Sequence, residues 1–371
     1  MGDILLCRIG TLGKAIKVYW DFEFSVFVSL GVLRPVVSEI TDYIVSFINS
    51  PIGFHWIQSV KVGGGTHTYK INLNDIPQML ICIPPLSEQG RIIEKIDGLN
   101  EVVSKYGLSQ EKLDSLNNNL KGNLKKSILQ DAIQGKLAPQ DPTDEPASAL
   151  LNRIREEKQK LLKEGKLKKK DVVDSVIFKG EDNKYYEKVG SKVLDISEEI
   201  PFEIPGSWEW TRLANIANLY TGNSISETEK RAIYTGVSGM DYIGTKDVGF
   251  NSNIEYNNGV SIPSRYLPDF KIAPSGSVLM CIEGGSAGRK IAILEKEVCF
   301  GNKLCCFSPY ADLSQYLFYY LQSPSFFEIF QKNKTGIIGG VSVNTLKDLL
   351  VAIPPINEQV RIVAKIQSLK L

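Results

Sequence analysis

Ile83-Pro84-Pro85-Leu86-Ser87-Glu88-Gln89 begins the stretch that decides the fold, and it is written twice. It returns 270 positions later as Ile353-Pro354-Pro355-Ile356-Asn357-Glu358-Gln359. Across Ile81–Leu99 and Val351–Leu369, ten of nineteen positions are identical: Ile83, Pro84, Pro85, Glu88, Gln89, Arg91, Ile92, Lys95, Ile96 and Leu99. The chain therefore contains an internal duplication, and a repeat constrains architecture before any single element does.

The local physics of the first copy is direct. Met79-Leu80-Ile81-Cys82-Ile83 is a short apolar run of the kind that forms a buried strand. Pro84-Pro85 ends it, since proline lacks the ladder donor and holds its predecessor extended. Ser87 is a suitable helix N-cap, with Glu88 in the first turn where the helix dipole favours it. Apolar residues then recur at helical spacing: Ile92, Ile93, Ile96, Leu99, Val102, Val103 and Tyr106, then Leu113, Leu116, Leu120, Leu124, Ile128 and Ile133. That is one apolar stripe, suited to a partner helix. Unbroken from Ser87 to Ile133, the helix would be about 70 Å long. Gly98, Gly107 and Gly122 are possible kinks, Gly107 foremost.

The 371 residues suffice for two or three domains. Lys+Arg 43 against Asp+Glu 42 gives a net charge of +1, which argues against a general polyanion coat but not against local basic faces. Six cysteines (Cys7, Cys82, Cys281, Cys299, Cys305, Cys306) form no C-x-x-C pair and fit reduced, buried thiols. There is no signal-peptide pattern and no long apolar run, so a cytoplasmic protein with no membrane segment is expected.

The duplication extends beyond the proline pair. Asp3-Ile4-Leu5-Leu6-Cys7, Gly10-Thr11-Leu12-Gly13-Lys14 and a strand from Ala15 to Val18 match Ser277–Cys281, Gly284–Arg289 and Ile291–Leu294. Each copy reads as strand, glycine-rich turn with a terminal basic residue, strand. A helix ending near Asn49-Ser50-Pro51 parallels Leu313–Gln322 and Ser323-Pro324. Glycine-rich loops follow, Lys61–Thr68 in one copy and Lys334–Gly340 in the other. Between the copies, Pro139-Gln140-Asp141-Pro142 is a linker, Thr143 or Asp144 a cap, and Ala149–Leu162 an amphipathic helix stopped by Gly165. Lys166–Lys170 is a basic tip, and the polar stretch to Glu199 reads as irregular. From Pro205 a new domain starts, with Leu213, Ile216 and Leu219 on one helical face, then strands at Tyr242–Asp247, Asn251–Val260 and Tyr266–Ile272.

The catalytic survey is empty. Two histidines, His55 and His67, cannot build a His-rich metal site, and no spacing suits zinc. A phosphate loop at Gly10–Lys14 would need glycine at Arg8 and a hydroxyl at Ala15. There is no Asp/Asn-Pro-Pro-aromatic run of an adenine methyltransferase and no nucleophile–base pairing. The chain reads as a binder. Lys, Arg, Thr and exposed backbone N–H groups on glycine turns suit phosphate and groove-edge contacts. The candidates are Arg8, Lys14, Lys61, Thr66 and His67 in the first copy, and Thr245, Lys246, Arg289, Lys334 and Thr335 in the second.

Trp208…Leu213, Thr221-Gly222, Tyr242-Ile243-Gly244-Thr245-Lys246-Asp247 and Ile353–Ile362 together resemble a target-recognition domain of the specificity (S) subunits of type I restriction–modification enzymes. Leu137–Ala147 and Ile154-Arg155-Glu156-Glu157-Lys158 resemble that family's central spacer, so the likeness covers essentially the whole chain. The resemblance implies an α+β fold: two target-recognition domains of mixed sheet plus helices, separated by long spacer helices forming an antiparallel coiled coil. It implies a non-catalytic subunit that reads a bipartite double-stranded DNA site for modification (methyltransferase) and restriction subunits. S-adenosylmethionine, ATP and Mg²⁺ would belong to those partners, with no cofactor on this chain. Glu88, Gln89, Ile92, Ile96, Leu113, Leu116, Leu120, Leu124, Glu358 and Gln359 are the candidates for subunit assembly.

On this reading the domains are 1–85, an incomplete first recognition domain; 86–136, a long spacer helix; 137–204, a linker with a helix and the basic run; 205–355, a second recognition domain; and 356–371, a short second spacer helix. The first copy has no counterpart of Pro205–Ser275, and the second spacer is far shorter than the first. The alternative is a truncated or silent cassette that assembles with modification subunits without reading a full site. Its exposed stripe would drive self-association or pairing with a complementary S fragment.

Overall fold

A computed structural model describes residues 2–64, 67–165, 167, 175–336 and 339–369. The chain divides into two compact units, Met1–Asn118 and Asn119–Leu371.

In the first unit, β1 (Ile4–Cys7) lies between β2 (Ala15–Lys17) and β3 (Leu30–Leu33), both antiparallel to it, with Leu5 opposite Ile16 on one side and Val32 on the other. Helices α1 (Thr41–Ile48) and α2 (Pro51–Val60) supply Ile48 and Ile57 to a core with Ile4, Leu6, Ala15 and Ile71. Ser50 caps α2, its hydroxyl accepting from the Gly53 amide at 3.3 Å, and Pro51 follows where a helix needs no amide donor. The glycine loop is a hairpin, β4 (Val62–Gly64) on β5 (His67–Lys70).

Helix α3 (Leu86–Ile133) is the long element, 48 residues or about 72 Å. It runs unbroken through Gly98, Gly107 and Gly122, where an added Cβ would meet open space. Helical structure continues through Gly107, the expected kink site, since solvent-exposed glycines weaken a helix without interrupting its hydrogen bonds. Ser87 lies inside the first turn rather than capping it. The stripe from Leu99 to Leu124 is exposed, with Leu116 at 61%.

In the second unit the last turns of α3 enter the main core through Leu129, Ala132 and Ile133, of which the leucine and isoleucine each contribute about 1.5–3 kcal/mol by burial. They meet α4 (Ala147–Lys163) through Leu150, Leu151 and Ile154. Thr143 does not cap α4: Pro146 takes the N-cap position, and Asp144 instead pairs with Arg361 at 2.5 Å. The polar stretch read as irregular is a three-stranded antiparallel sheet, β6 (Ser175–Lys179), β7 (Tyr185–Val189) and β8 (Lys192–Asp195). Only one of its faces is buried, which dilutes its apolar pattern. Of the basic run, only Leu167 falls within the described residues.

Then come β9 (Glu209–Arg212), the single turn α5 (Leu213–Ile216) and β10 (Ala217–Thr221), so Leu219 belongs to a strand rather than to a helix with Leu213 and Ile216. After α6 (Glu227–Glu229), capped by Ser226, come β11 (Met240–Ile243), β12 (Ser261–Ile262) and β13 (Ile272–Ala273). The strands expected over Asn251–Val260 and Tyr266–Ile272 shrink to bridges and a 3-10 turn at Ser264–Asp269, where Pro263 and Pro268 withhold donors.

The duplicated strands follow as β14 (Val278–Cys281), β15 (Ile291–Ile293), β16 (Val298–Phe300) and β17 (Leu304–Pro309). One sheet runs β10-β17-β14-β15; the other runs β12-β11-β16-β13, with β11 and β16 parallel. Helices α7 (Ser314–Leu321), α8 (Pro324–Lys332) and α9 (Val343–Asp348) cover the first, and Ser323 caps α8 as Ser50 caps α2. β18 (Leu350–Ile353) pairs with β9 and leads into α10 (Ile356–Ser368).

The two copies part at β18. Leu350–Ile353 is wholly buried, whereas the expected first-copy strand Met79–Ile83 is not a strand: Leu80 is 90% exposed and Ile83 56%. The apolar run is present in both, but among the described residues only the second has a strand, β9, to complete its ladder.

Candidate nucleic-acid interface

The second unit brings three loops together. The turn between β14 and β15 closes when Cys281 N donates to Lys290 O at 2.9 Å and Gly288 N to Cys281 O at 2.8 Å. Gly288 has φ +73°, and a Cβ there would stand 2.8 Å from Phe330 Cδ1, so the turn needs glycine for both conformation and space. On one side, Lys290 Nζ donates to Thr245 O at 2.9 Å. That loop is closed by Asp247, whose carboxylate accepts from Gly244 N at 2.8 Å. On the other side, Gly284 N donates to Gly339 O at 3.3 Å, and the Thr335 hydroxyl donates to Gly340 O at 3.0 Å.

Thr245, Lys246, Arg289, Lys334 and Thr335 therefore sit on three loops, the middle one (284–290) bonded to each of the other two. Lys246 and Arg289 are exposed, Thr245 and Lys334 partly buried. Arg289 leans back to donate to Gly285 O. Two further groups belong here that the sequence did not single out: Lys290, which ties two loops, and exposed Phe250, whose ring centre is 5.2 Å from Lys290 Nζ. Cations on a glycine-rich backbone can neutralise phosphates, and an exposed ring offers a face for stacking.

The first unit repeats the turn without its surroundings. Cys7 N donates to Lys14 O at 2.9 Å, Gly13 N to Cys7 O at 2.8 Å and Gly10 N to Tyr69 O at 3.4 Å. This bonding places Lys14 level with Lys290, correcting the pairing with Arg289 that sequence order suggests. Lys14 is exposed. Arg8 instead ties backbone together, donating to Ile71 O at 3.2 Å and Val28 O at 3.3 Å. Lys61 bonds Gln58 at 2.5 Å and lies 4.6 Å from the centre of the Tyr69 ring. Thr66 lies outside the described residues, and His67 contributes its backbone to β5.

The assembly candidates divide by exposure. Leu113, Leu116, Leu120 and Leu124 are exposed, and Ile92 and Ile96 half-buried. Gln89 and Gln359 are buried and donate to the carbonyls of Pro84 and Pro354 at 2.7 and 2.9 Å, closing the same turn in each copy. Glu88 is exposed, whereas Glu358 is buried and accepts from Trp208 Nε1 at 2.9 Å and Gln140 Nε2 at 2.5 Å. Burial raises the Glu358 pKa above the usual carboxylate range against those two donors. The Arg361 hydrogen bond lowers that of Asp144.

Among the described residues, no group of three or more His, Cys, Asp or Glu could hold a metal ion. All six cysteines are free, and burial pushes the thiols of Cys299 and Cys306 up to about 11, far from a reactive thiolate. No helix among the described residues is long and apolar enough to cross a membrane.

Residues 205–371 match the type I restriction modification DNA specificity domain. The type I restriction enzyme EcoAI specificity subunit of Escherichia coli is 31% identical over 66% of this chain, and the EcoEI specificity subunit of the same organism 30% identical over 66%. The matches span 39% and 38% of those two proteins, well under half of their length. In fold, the whole chain is similar to 74% of a chain from a structure of the type I R-M system concerned with complex assembly and conformational transition, with a TM-score of 0.50 at 18% identity. Residues 205–371, just under half of the chain, thus form a type I restriction modification DNA specificity domain, and the chain is similar to type I restriction enzyme specificity subunits.

Proposed function

We propose that this chain reads DNA sequence for a type I restriction–modification complex, directing modification and restriction subunits to a bipartite double-stranded site. The observation that carries the reading is the three-loop cluster of the specificity domain, where Lys246, Arg289 and Thr335 stand on bonded glycine turns. Such loops supply cations for phosphates together with hydroxyl and amide groups for base edges. The duplication adds a second turn of the same build, as two half-sites require. The exposed stripe Leu113–Leu124 suits a partner helix, giving these leucines a role in assembly. Catalysis, with S-adenosylmethionine, ATP and Mg²⁺, would rest with the partner subunits.

The test is selection from a random duplex library by the chain in complex with a type I modification subunit. Enrichment of one motif, lost in the double variant K246A/R289A, supports the reading. Retention of all sequences alike contradicts it.

A further inference from the structure

Within residues 205–355, two large apolar side chains among those described are exposed, Val237 at 40% and Phe250 at 67%. Phe250 stands on the loop after β11, beside the cations of the cluster. The tip that carries it is tightly tied. Val248 is wholly buried and bridges Ile254 in antiparallel fashion. Between them the backbone closes on itself: Gly249 N donates to Asn253 O at 2.8 Å and Ser252 N to Gly249 O at 3.3 Å. Asn251 Oδ1 accepts from Asn253 N at 3.3 Å, and below the bridge Glu255 N donates to Asp247 O at 2.8 Å. Ser252 takes φ +65°, a left-handed conformation that a residue other than glycine adopts at a cost and that clusters at functional positions. The fold thus fixes an apolar ring in water, where burial is the favourable choice.

The ring is also held from one side. Lys290 Nζ lies over it, 5.2 Å from its centre, while donating to Thr245 O at 2.9 Å. An ammonium seated on one face leaves the ring its other face and its edge. Intercalation uses both faces, so the ring cannot slide between base pairs without breaking the bond from Lys290 to Thr245. What remains is a small apolar surface among cations that suit phosphates. Base pairs present hydrogen-bond donors and acceptors in the major groove, and the apolar group among them is the thymine 5-methyl.

We propose that Phe250 is a specificity-determining residue, reading a thymine in the half-site of the second unit through its 5-methyl group. Lys246 and Arg289 would hold flanking phosphates, and Lys290 would fix the orientation of the ring. This assignment rests on the DNA reading proposed above and adds one base that the site must contain.

The test uses the chain in complex with a type I modification subunit and the motif enriched from the random duplex library. Each thymine of the motif is replaced in turn by deoxyuridine, which lacks only the methyl, and binding is followed by fluorescence anisotropy. At one position the replacement should weaken the parent roughly fourfold, which corresponds to about 0.8 kcal/mol, and leave Phe250→Ala unaffected. Phe250→Leu, which keeps an apolar side chain, should keep part of that discrimination. A motif whose thymines all tolerate uracil overturns the proposal, as does sensitivity that Phe250→Ala leaves unchanged at every position. Phe250→Ala lowering affinity for all sequences alike would make the ring a non-specific contact and overturn it too. A library that yields no motif would instead defeat the DNA reading itself, and this assignment with it.

Discussion

Trp208 Nε1 donates a 2.9 Å hydrogen bond to Glu358 Oε2, joining the start of the β9 segment to the first turn of α10 across 150 residues. Both residues are almost fully buried. The bond fixes the proline turn against the strand that completes its ladder. Trp208→Phe keeps an aromatic ring beside Tyr316 but leaves a buried carboxylate short of a donor, at a cost of about 1–3 kcal/mol. Urea unfolding should show a lower midpoint with an unchanged slope.

The same carboxyl gives a pH signature. Its pKa is raised in the fold, so its contribution is fully present below the ordinary glutamate value near ~4.3 and is lost as pH rises through the folded value. Asp144, lowered by Arg361, has the opposite sign: its contribution is present above the ordinary aspartate value and is lost on acidification. Denaturant melts from pH 4 to 7 should show Glu358→Gln gaining on the parent as pH rises. Asp144→Asn should keep its deficit across that range and lose it only when the melts are carried below the ordinary aspartate value, as pH falls through the lowered folded value.

Gly288 tests the turn. Alanine there must adopt φ +73° and push on the Phe330 ring, costing about 1–3 kcal/mol. Phe330→Leu in the same chain should return only the steric part, measurable as a double-mutant cycle in urea.

The cations of the loop cluster should act additively. Lys246→Ala and Arg289→Ala should each reduce the slope of log K against log salt by about 1 if each holds one phosphate, with little effect on stability. Titration of duplex DNA at several salt concentrations reads this out.

Much of this fold is written plainly in the sequence because its strands are short, wholly apolar and bounded by glycine turns. β1 and β14, both turns after them and α3 follow from local pattern. Met79–Ile83 shows where local pattern ends: the same kind of residues form a buried strand at 350–353 and a part-exposed segment outside any ladder at 79–83, and a distant strand makes the difference. The β6–β8 sheet was illegible because part of what it buries is a charge pair: Glu187 meets Arg212 at 2.5 Å. Leu213, Ile216 and Leu219 have helical spacing by coincidence, one turn of helix running straight into a strand. At the site, Arg289 and Thr245 could be picked out from their turns. Lys290 and Phe250 could not, since their roles come from three loops meeting, and Arg8 has the right chemistry but spends its guanidinium on backbone.

The central claim, that this chain directs a type I complex to a DNA sequence, is tested most directly by modification itself. The chain would be co-expressed with a type I modification subunit in a host lacking other methyltransferases, and methylated adenines mapped across the genome. Methylation confined to one bipartite motif, and abolished by the K246A/R289A pair, is the predicted result. A stable complex that leaves the genome unmethylated, or methylates it without a motif, would contradict the account.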